Sequence, residues 1–194
     1  MRNCLVVDLD RCTGCDTCVV ACKYENGLDL GTCWNRVGVV GPTGDFPDIE
    51  QYYLPVQCQQ CANPQCVKVC PTGASYRDEK TGVVLVDKSK CIGCRYCMMA
   101  CPYDVRVYRE DAHVVEKCTL CNQRTQAGEK PACVVNCCGG ARLYGDLDDP
   151  TSDVSKAVAA AGADAVHHLP DPGDSNPSTV YILHNDIAHW KELS

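Results

Sequence analysis

The chain lacks the features that direct a protein into a membrane, onto nucleic acid or out of the cell. No apolar run approaches the roughly 18 residues that a membrane span needs, and no basic stripe accompanies the net charge of −7. The first residues, MRNCLVVDLD, place an aspartate where a signal peptide would need its apolar centre. We therefore expect no membrane span, no nucleic-acid partner and no export signal within this chain.

Phe and Trp are also scarce, with one Phe and two Trp among 194 residues, whereas 19 residues are Cys. Large apolar side chains are therefore too few to build an extensive hydrophobic core for a chain of this length. Disulfides, zinc or iron–sulfur clusters are the candidates for holding the chain together. A disulfide framework is disfavoured, because the cysteine count is odd and no export signal is recognised.

Sixteen of the cysteines fall into four blocks of four. The blocks are Cys12, Cys15, Cys18 and Cys22 (first), Cys58, Cys61, Cys66 and Cys70 (second), Cys91, Cys94, Cys97 and Cys101 (third), and Cys118, Cys121, Cys133 and Cys137 (fourth). The spacing is x2, x2, x3 in the first and third blocks, x2, x4, x3 in the second, and x2, x11, x3 in the fourth. Cys4, Cys33 and Cys138 lie outside the blocks.

The C-x2-C-x2-C-x3-C run is the bacterial ferredoxin signature for 4Fe-4S clusters. Three thiolates at x2 steps wrap one face of a cubane cluster, and the fourth, about one helical turn further on, ligates the other cluster of a pair. Zinc sites usually combine CxxC pairs with each other or with His, so four such blocks disfavour zinc. With four thiolates for every cluster, no iron keeps an open position, which predicts electron transfer without bond-making chemistry.

The first and third blocks belong to an internal repeat. VDLDRCTGCDTCVVAC around the first block matches VDKSKCIGCRYCMMAC around the third at Val, Asp, Gly, Ala and every Cys. Strand-like runs at Cys4–Asp8 and Val83–Asp87 precede the blocks, and short helices are predicted to begin near Val19 and Met98. A strand, a cysteine loop and a helix form half of a ferredoxin-like fold, so four halves predict two modules.

Spacing alone leaves two ways of pairing the blocks. The first block pairs with the second and the third with the fourth, or the second and third pair and are enclosed by the first and fourth. The gap between Cys70 and Cys91 is short, with a turn at Thr81–Gly82 and a strand. The gap between Cys22 and Cys58 is long and carries turn signals, and this difference favours the enclosed arrangement.

The order of the blocks and the sequences beside them resemble a known family. CKYEN begins at the last cysteine of the first block, PTGASY follows the second, CPYDVR begins at the last cysteine of the third, and GDLDDPTS follows the fourth. These features resemble the four-cluster iron–sulfur subunits of molybdopterin oxidoreductases of the dimethyl sulfoxide reductase family, which serve dimethyl sulfoxide, polysulfide, tetrathionate and nitrate reductases. The resemblance implies an α+β fold of two pseudo-symmetric ferredoxin-like modules, with long loops and a C-terminal extension.

In that family the enclosed pairing holds and ligands are exchanged within each pair. The resemblance therefore implies four 4Fe-4S clusters, whose ligands would be Cys12, Cys15, Cys18 and Cys137 (cluster one), Cys22, Cys118, Cys121 and Cys133 (cluster two), Cys58, Cys61, Cys66 and Cys101 (cluster three), and Cys70, Cys91, Cys94 and Cys97 (cluster four). The first module would comprise residues 1–50 with 114–150, the inserted second module residues 51–113, and a C-terminal helix and tail residues 151–194.

The resemblance also implies the partners. A large catalytic subunit with a molybdopterin cofactor of Mo or W would face cluster one, and a membrane quinol-linked subunit or a soluble donor would face cluster four. The chain would be a non-catalytic electron-transfer subunit, assembled in the cytoplasm and either kept there or exported with its catalytic partner. A free-standing polyferredoxin is the alternative, although the long loop at Tyr24–Tyr53 and the stretch after Cys137 favour the subunit.

The C-terminal part of the sequence predicts structural elements more than sites. SDVSKAVAAAGADAV predicts a helix capped by Ser152 or Asp153, and a strand is predicted at Val180–Leu183. Trp190 and Tyr181 are candidates for interface anchors, with packing inside this chain as the alternative.

The remaining cysteines and the His167–His168 pair are not predicted to bind a metal. Cys4 and Cys33 are expected to be buried as small apolar residues. Cys138 stands where a proline follows the second and third blocks, so it replaces a helix stop and is not a seventeenth ligand. The adjacent histidines lie in a polar stretch without a CxxCH haem motif and are predicted to be surface residues.

Overall fold

A computed structural model describes residues 1–184, and Trp190 lies outside the described residues. The strands in this part of the chain are β1 (Asn3–Asp8), β2 (Asn35–Thr43), β3 (Glu50–Gln57), β4 (Ser75–Arg77), β5 (Val84–Val86), β6 (Arg106–Arg109), β7 (Val114–Lys117), β8 (Arg142–Asp146), β9 (Val166–His167) and β10 (Val180–Ile182). The helices are α1 (Thr17–Asn26), α2 (Gln65–Lys68), α3 (Tyr96–Met99), α4 (Asn122–Thr125), α5 (Ala132–Val135) and α6 (Asp153–Ala161), with a 3₁₀ turn at Ala163–Ala165. Across residues 1–184, no helix has the length and apolar character that a membrane crossing requires.

A four-stranded sheet brings the first and fourth cysteine blocks together. β1 lies between β8, which runs antiparallel to it, and β10, which runs parallel. β9 completes the sheet at the far side of β10. One face packs Val6 and Val180 against Val154 of α6, and the other face packs Leu5 and Val7 toward the cysteines. Because β1 leads into the first block and β8 follows the fourth, their pairing joins two segments that are far apart in sequence.

Three two-stranded hairpins connect the remaining segments. β4 and β5 link the second block to the third, and β6 and β7 link the third block to the fourth. β2 and β3 form a longer hairpin within the stretch that the sequence analysis treated as a loop. That expectation was wrong because the turn signals of GPTGDFPD sit only at the tip, while NRVGVV and QYYLPV on either side carry the β-branched and aromatic residues that favour strands.

The internal repeat folds into the same local structure twice. Gly14 and Gly93 have φ values of 65° and 66°, and α1 and α3 begin shortly after them, slightly earlier than predicted. A Cβ at Gly14 would overlap the ring of Tyr53, and a Cβ at Gly93 would press on the ring of Tyr108. Each position therefore needs glycine both for its left-handed backbone and for the aromatic ring that covers the cysteine loop.

The C-terminal elements follow the sequence prediction closely. The helix α6 begins after Ser152, whose Oγ accepts a hydrogen bond from the Ser155 backbone N–H at 3.2 Å. The predicted strand at Val180–Leu183 is β10, which ends one residue earlier. The helix α6 packs onto the sheet that carries the first and fourth blocks, and β10 is a strand of that sheet.

Tyr181 packs inside this chain and is fully buried. Its hydroxyl donates a hydrogen bond to the Pro55 carbonyl at 3.1 Å and accepts one from Gln59 Nε2 at 3.1 Å. These bonds connect the C-terminal strand to the residues on either side of Cys58, the first cysteine of the second block. Tyr181 therefore connects β10 to the segment around Cys58 and is not an exposed interface anchor.

Replacement of Tyr181 by Phe is expected to lower the free energy of unfolding by about 1–2 kcal/mol, because the buried Pro55 carbonyl and Gln59 amide lose their partner. Anaerobic guanidinium denaturation, followed by circular dichroism, measures this difference. Tyr24→Phe is the matched control, since the Tyr24 side chain is 92 % exposed. Equal stability of the two variants would contradict a stabilising role for the Tyr181 hydrogen bonds.

Candidate metal centres

Four cysteines from the two ends of the block order surround one cavity. Cys12, Cys15, Cys18 and Cys137 line a space of about 360 Å³. The first three come from the loop between β1 and α1 and the start of that helix, and the fourth follows α5. The structure thus places together the ligand set that the family resemblance implies for cluster one.

A second cavity is lined by other thiols of the same two blocks. Cys22, Cys118, Cys121 and Cys133 surround a space of about 320 Å³, and all of them are buried. Burial and the neighbouring Cys133 and Cys121 thiols raise the pKa of Cys22 to about 12. These residues are the set implied for cluster two.

A third cavity is lined by thiols of the second and third blocks. Cys70, Cys91, Cys94 and Cys97 surround a space of about 330 Å³, the set implied for cluster four. Cys70 reaches this cavity from the end of the second block, because α2 and the following turn carry it across to the third block. The Ser75 backbone N–H donates a hydrogen bond to Cys70 Sγ at 3.3 Å.

The last set, implied for cluster three, also gathers around a common centre. Burial raises the pKa of the Cys61 thiol, and the nearby Cys58, Cys66 and Cys101 thiols raise it further. Burial raises the pKa of Cys101 as well, with Cys58 and Cys66 again among its neighbours. The exchange of the fourth cysteine between blocks therefore recurs in the second and third blocks.

The donor chemistry of these sites fits iron–sulfur clusters. In each of the three cavities, the donors that are grouped together are thiols. Desolvation and mutual repulsion disfavour thiolates there unless metal ions offset their charge. Residues 1–184 contain no group of three or more His, Cys, Asp or Glu side chains spaced to hold a single metal ion. The thiols surround a volume and do not converge on a point, which suits a cluster of several atoms.

The four cysteine sets follow one another through neighbouring thiols. The Cys18 thiol of the first set lies close enough to Cys133 of the second set to raise the pKa of Cys133. Cys118 of the second set has Cys58 of the third as a neighbour, and Cys97 of the fourth set has Cys66 of the third. The sets therefore form a row in the order one, two, three, four.

Among the four sets, exposed thiols occur only in the two at the ends of the row. Cys15 in the first set and Cys94 in the fourth are exposed, whereas the second set is buried throughout and the third contains no exposed thiol. The two residues occupy equivalent positions in the internal repeat, so the pseudo-symmetry presents one sulfur to solvent at each end.

Two buried arginines, which the sequence motifs did not predict as site residues, lie close to the cysteine sets. Arg142 opens β8 and Arg106 opens β6, and the side chain of each is nearly inaccessible to solvent. Each follows the last cysteine of its block by the same x4 step, in CPYDVR and CCGGAR, so the repeated C-x4-R spacing was the available signal.

The cysteines outside the blocks occupy three different environments. Cys4 is fully buried, as expected. Cys33 is exposed, so the expectation of burial was wrong; it lies in a surface loop whose carbonyls at Asp29 and Thr32 bind the Lys23 ammonium. Cys138 is exposed, and its Sγ lies 3.4 Å from Cys15 Sγ, beside the first set.

The Cys15 thiol ionises more readily than an ordinary cysteine. Cys15 Sγ lies 3.4 Å from Thr17 Oγ1, and hydrogen bonds with Thr17 lower the pKa of Cys15 to about 6.

The two adjacent histidines differ in exposure. His168 is exposed, as predicted, whereas His167 is half-buried because β9 joins the sheet beside β10. His168 Nδ1 lies 2.9 Å from the Thr179 carbonyl oxygen, and burial lowers the pKa of His168.

Two family models match the chain. The model described as a 4Fe-4S dicluster domain matches residues 49–147, about half of the sequence, and the model described as a 4Fe-4S binding domain matches residues 5–25. Together they cover the four cysteine blocks and support a mixed fold of small ferredoxin-like 4Fe-4S domains.

Relatives with high identity carry the names of oxidoreductase subunits. A provisionally named iron–sulfur subunit of dimethyl sulfoxide reductase from Halobacterium salinarum is 45 % identical, over 92 % of this chain and 78 % of the relative. A subunit of sulfite dehydrogenase from Allochromatium vinosum is 44 % identical, over 92 % of this chain and 81 % of the relative. A subunit of tetrathionate reductase from Salmonella typhimurium is 38 % identical, over 93 % of this chain and 72 % of the relative.

These matches confirm the family that the cysteine blocks resemble. The residues of the matched regions include every block, and the identity extends over most of each relative. The chain therefore belongs to the family of ferredoxin-like 4Fe-4S electron-transfer subunits of oxidoreductases of the dimethyl sulfoxide reductase type and is not itself a catalytic subunit.

Proposed function

We propose that this chain relays single electrons through four 4Fe-4S clusters between a molybdopterin catalytic subunit and a second redox partner. The observation that carries the proposal is the row of four cysteine sets in which only the end sets have an exposed thiol. A row with buried middle members and accessible ends is the arrangement that conducts electrons from one protein surface to another.

One-electron transfer is the chemistry that 4Fe-4S clusters supply when bound. The chain's own residues hold, space and insulate them. Sixteen thiols provide four ligands for each cluster, so no coordination position is left for a substrate. The hairpins and the four-stranded sheet fix the distance between sets, and the buried positions of Cys118 and Cys133 keep solvent away from the middle of the row.

We assign the ferredoxin-like modules as predicted from the sequence. Residues 1–50 with 114–150 form the first module and hold clusters one and two, and residues 51–113 form the inserted second module and hold clusters three and four. The pairing of β1 with β8 and the shared cavities of the first and fourth blocks support this division. Residues 151–194 form the C-terminal extension, part of which packs on the first module.

The names of the relatives support a catalytic partner subunit, since subunits of sulfite dehydrogenase and tetrathionate reductase are among them. We propose that this partner carries a molybdopterin cofactor and meets cluster one. A quinol-linked membrane subunit or a soluble donor would meet cluster four. We infer assembly in the cytoplasm, with membrane association through a partner.

Co-purification distinguishes this role from that of a free polyferredoxin. An affinity-tagged chain, isolated anaerobically from its native host, is expected to bring down a large chain containing Mo or W and a pterin. Mass spectrometry and metal analysis of the complex provide the measurement. Recovery of the chain alone, soluble and able to reduce several unrelated enzymes, would favour the carrier and refute the subunit role.

Cluster content tests the ligand assignment. The wild-type chain is expected to contain about sixteen irons, from four clusters of four. Cys137→Ala is expected to remove the electron paramagnetic resonance signal of cluster one and lower the iron content by about a quarter, because Cys137 supplies the fourth thiolate of that set.

Cys138→Ala is the matched control, because it removes the adjacent thiol without touching the assigned ligand. All four clusters are expected to persist in this variant. Loss of a cluster in Cys138→Ala with retention in Cys137→Ala would reverse the assignment of the doublet.

A further inference from the structure

The two buried arginines occupy equivalent places in the proposed modules. Arg142 and Arg106 are each 3 % exposed, and each begins a strand after the x4 step from the last cysteine of a block. A guanidinium stays protonated in any protein environment, so both sites hold a permanent positive charge away from solvent.

Arg142 lines both the cavity of the first cysteine set and the cavity of the second. Its guanidinium donates hydrogen bonds to Asn35 Oδ1 at 2.8 Å and to Gln57 Oε1 at 3.3 Å. Burial alone would lower the pKa of Arg142, but the Cys133 and Cys18 thiols raise it, and Cys133 also hydrogen-bonds the guanidinium. Arg142 therefore faces one ligand of each proposed cluster in the first module.

Arg106 lies beside the fourth set, because its hydrogen-bond partner Ser75 lines the cavity of that set. Its guanidinium donates a hydrogen bond to Ser75 Oγ at 2.9 Å. The pKa of Arg106, which burial alone would lower, is raised by Cys66 and Cys97, with Cys58 as a further neighbour. The second module thus repeats the arrangement with different neutral partners.

Neither arginine has a carboxylate partner in the described part of the chain. The ion pairs among residues 1–184 include Arg109 with Asp111 and Arg124 with Glu25, but none includes Arg106 or Arg142. A buried, unpaired charge is costly, so it persists where other charges of opposite sign offset it. The anionic groups close to these two guanidiniums would be the proposed thiolate-ligated clusters.

We propose that Arg142 and Arg106 are positioning residues that raise the reduction potentials of the two clusters on either side of them, each acting on both clusters of its own module. This inference rests on the proposed function, since it requires clusters at the four cysteine sets. An added electron makes a cluster more negative, and a nearby buried cation stabilises that reduced form. Because each guanidinium is shared, it raises the potentials of both clusters of its module and leaves the difference between them nearly unchanged.

Redox titration of the purified holoprotein or complex, followed by electron paramagnetic resonance, tests the proposal. Arg142→Gln is expected to make clusters one and two harder to reduce, by about tenfold in the reduction equilibrium or about 59 mV for one electron. Clusters three and four should keep their potentials. Arg106→Gln is the matched variant and should produce the opposite pattern, while Arg142→Lys, which retains a positive charge, should recover most of the shift.

A second variant decides the question if Arg142→Gln loses its clusters. Asn35→Asp keeps the size of the side chain that accepts the hydrogen bond from Arg142 and places a carboxylate against the guanidinium. It should lower the potentials of clusters one and two while Arg142 itself remains in place. Unchanged potentials in either variant with all four clusters present would overturn the inference, whereas a wild-type protein without four clusters would refute the proposed function instead.

Discussion

The crowding of thiols in small, water-poor cavities is the constraint on which the rest of the structure depends. Burial and mutual repulsion raise the pKa of Cys22, Cys61 and Cys118, so these side chains do not favour the charged form by themselves. Metal ions remove that penalty by binding the thiolates, and cluster insertion is then coupled to folding. A chain with one Phe and two Trp can fold in this way, because several of the cysteines that we propose as cluster ligands are also part of its core.

Exchange of the fourth cysteine between blocks connects sequence segments that local structure cannot connect. Cys137 joins the first cysteine loop, and Cys70 joins the third, so every cavity needs two blocks in place. The four-stranded sheet supplies the matching backbone connection, since β1 pairs with both β8 and β10. Loop closure over such distances is entropically costly, and the proposed metal–thiolate bonds offset that cost.

The interior is also unusually polar beside the cavities. Gln57, Gln59 and Gln60 are fully buried and hydrogen-bond carbonyls, amides and a guanidinium, and Lys117 donates to the carbonyls of Val84 and Cys118. Buried donors and cations of this kind lower the cost of holding negative charge at the middle of the row. Buried groups act on a nearby site more strongly than lysines and aspartates at the surface, whose fields water screens.

Cysteine spacing by itself determined the cluster type, the division into four blocks and the duplicated strand–loop–helix unit, because ligand geometry at one cluster restricts the chain over only a few residues. Local patterns likewise predicted a helix cap at Ser152 or Asp153 and a strand at Val180, which depend on neighbours in sequence. Only the tertiary structure decided that Tyr181 is buried, that Cys138 lies beside Cys15, and that Arg106 and Arg142 stand close to cysteines of two sets. Each of these depends on contacts between distant segments, whose burial and charge no local pattern encodes.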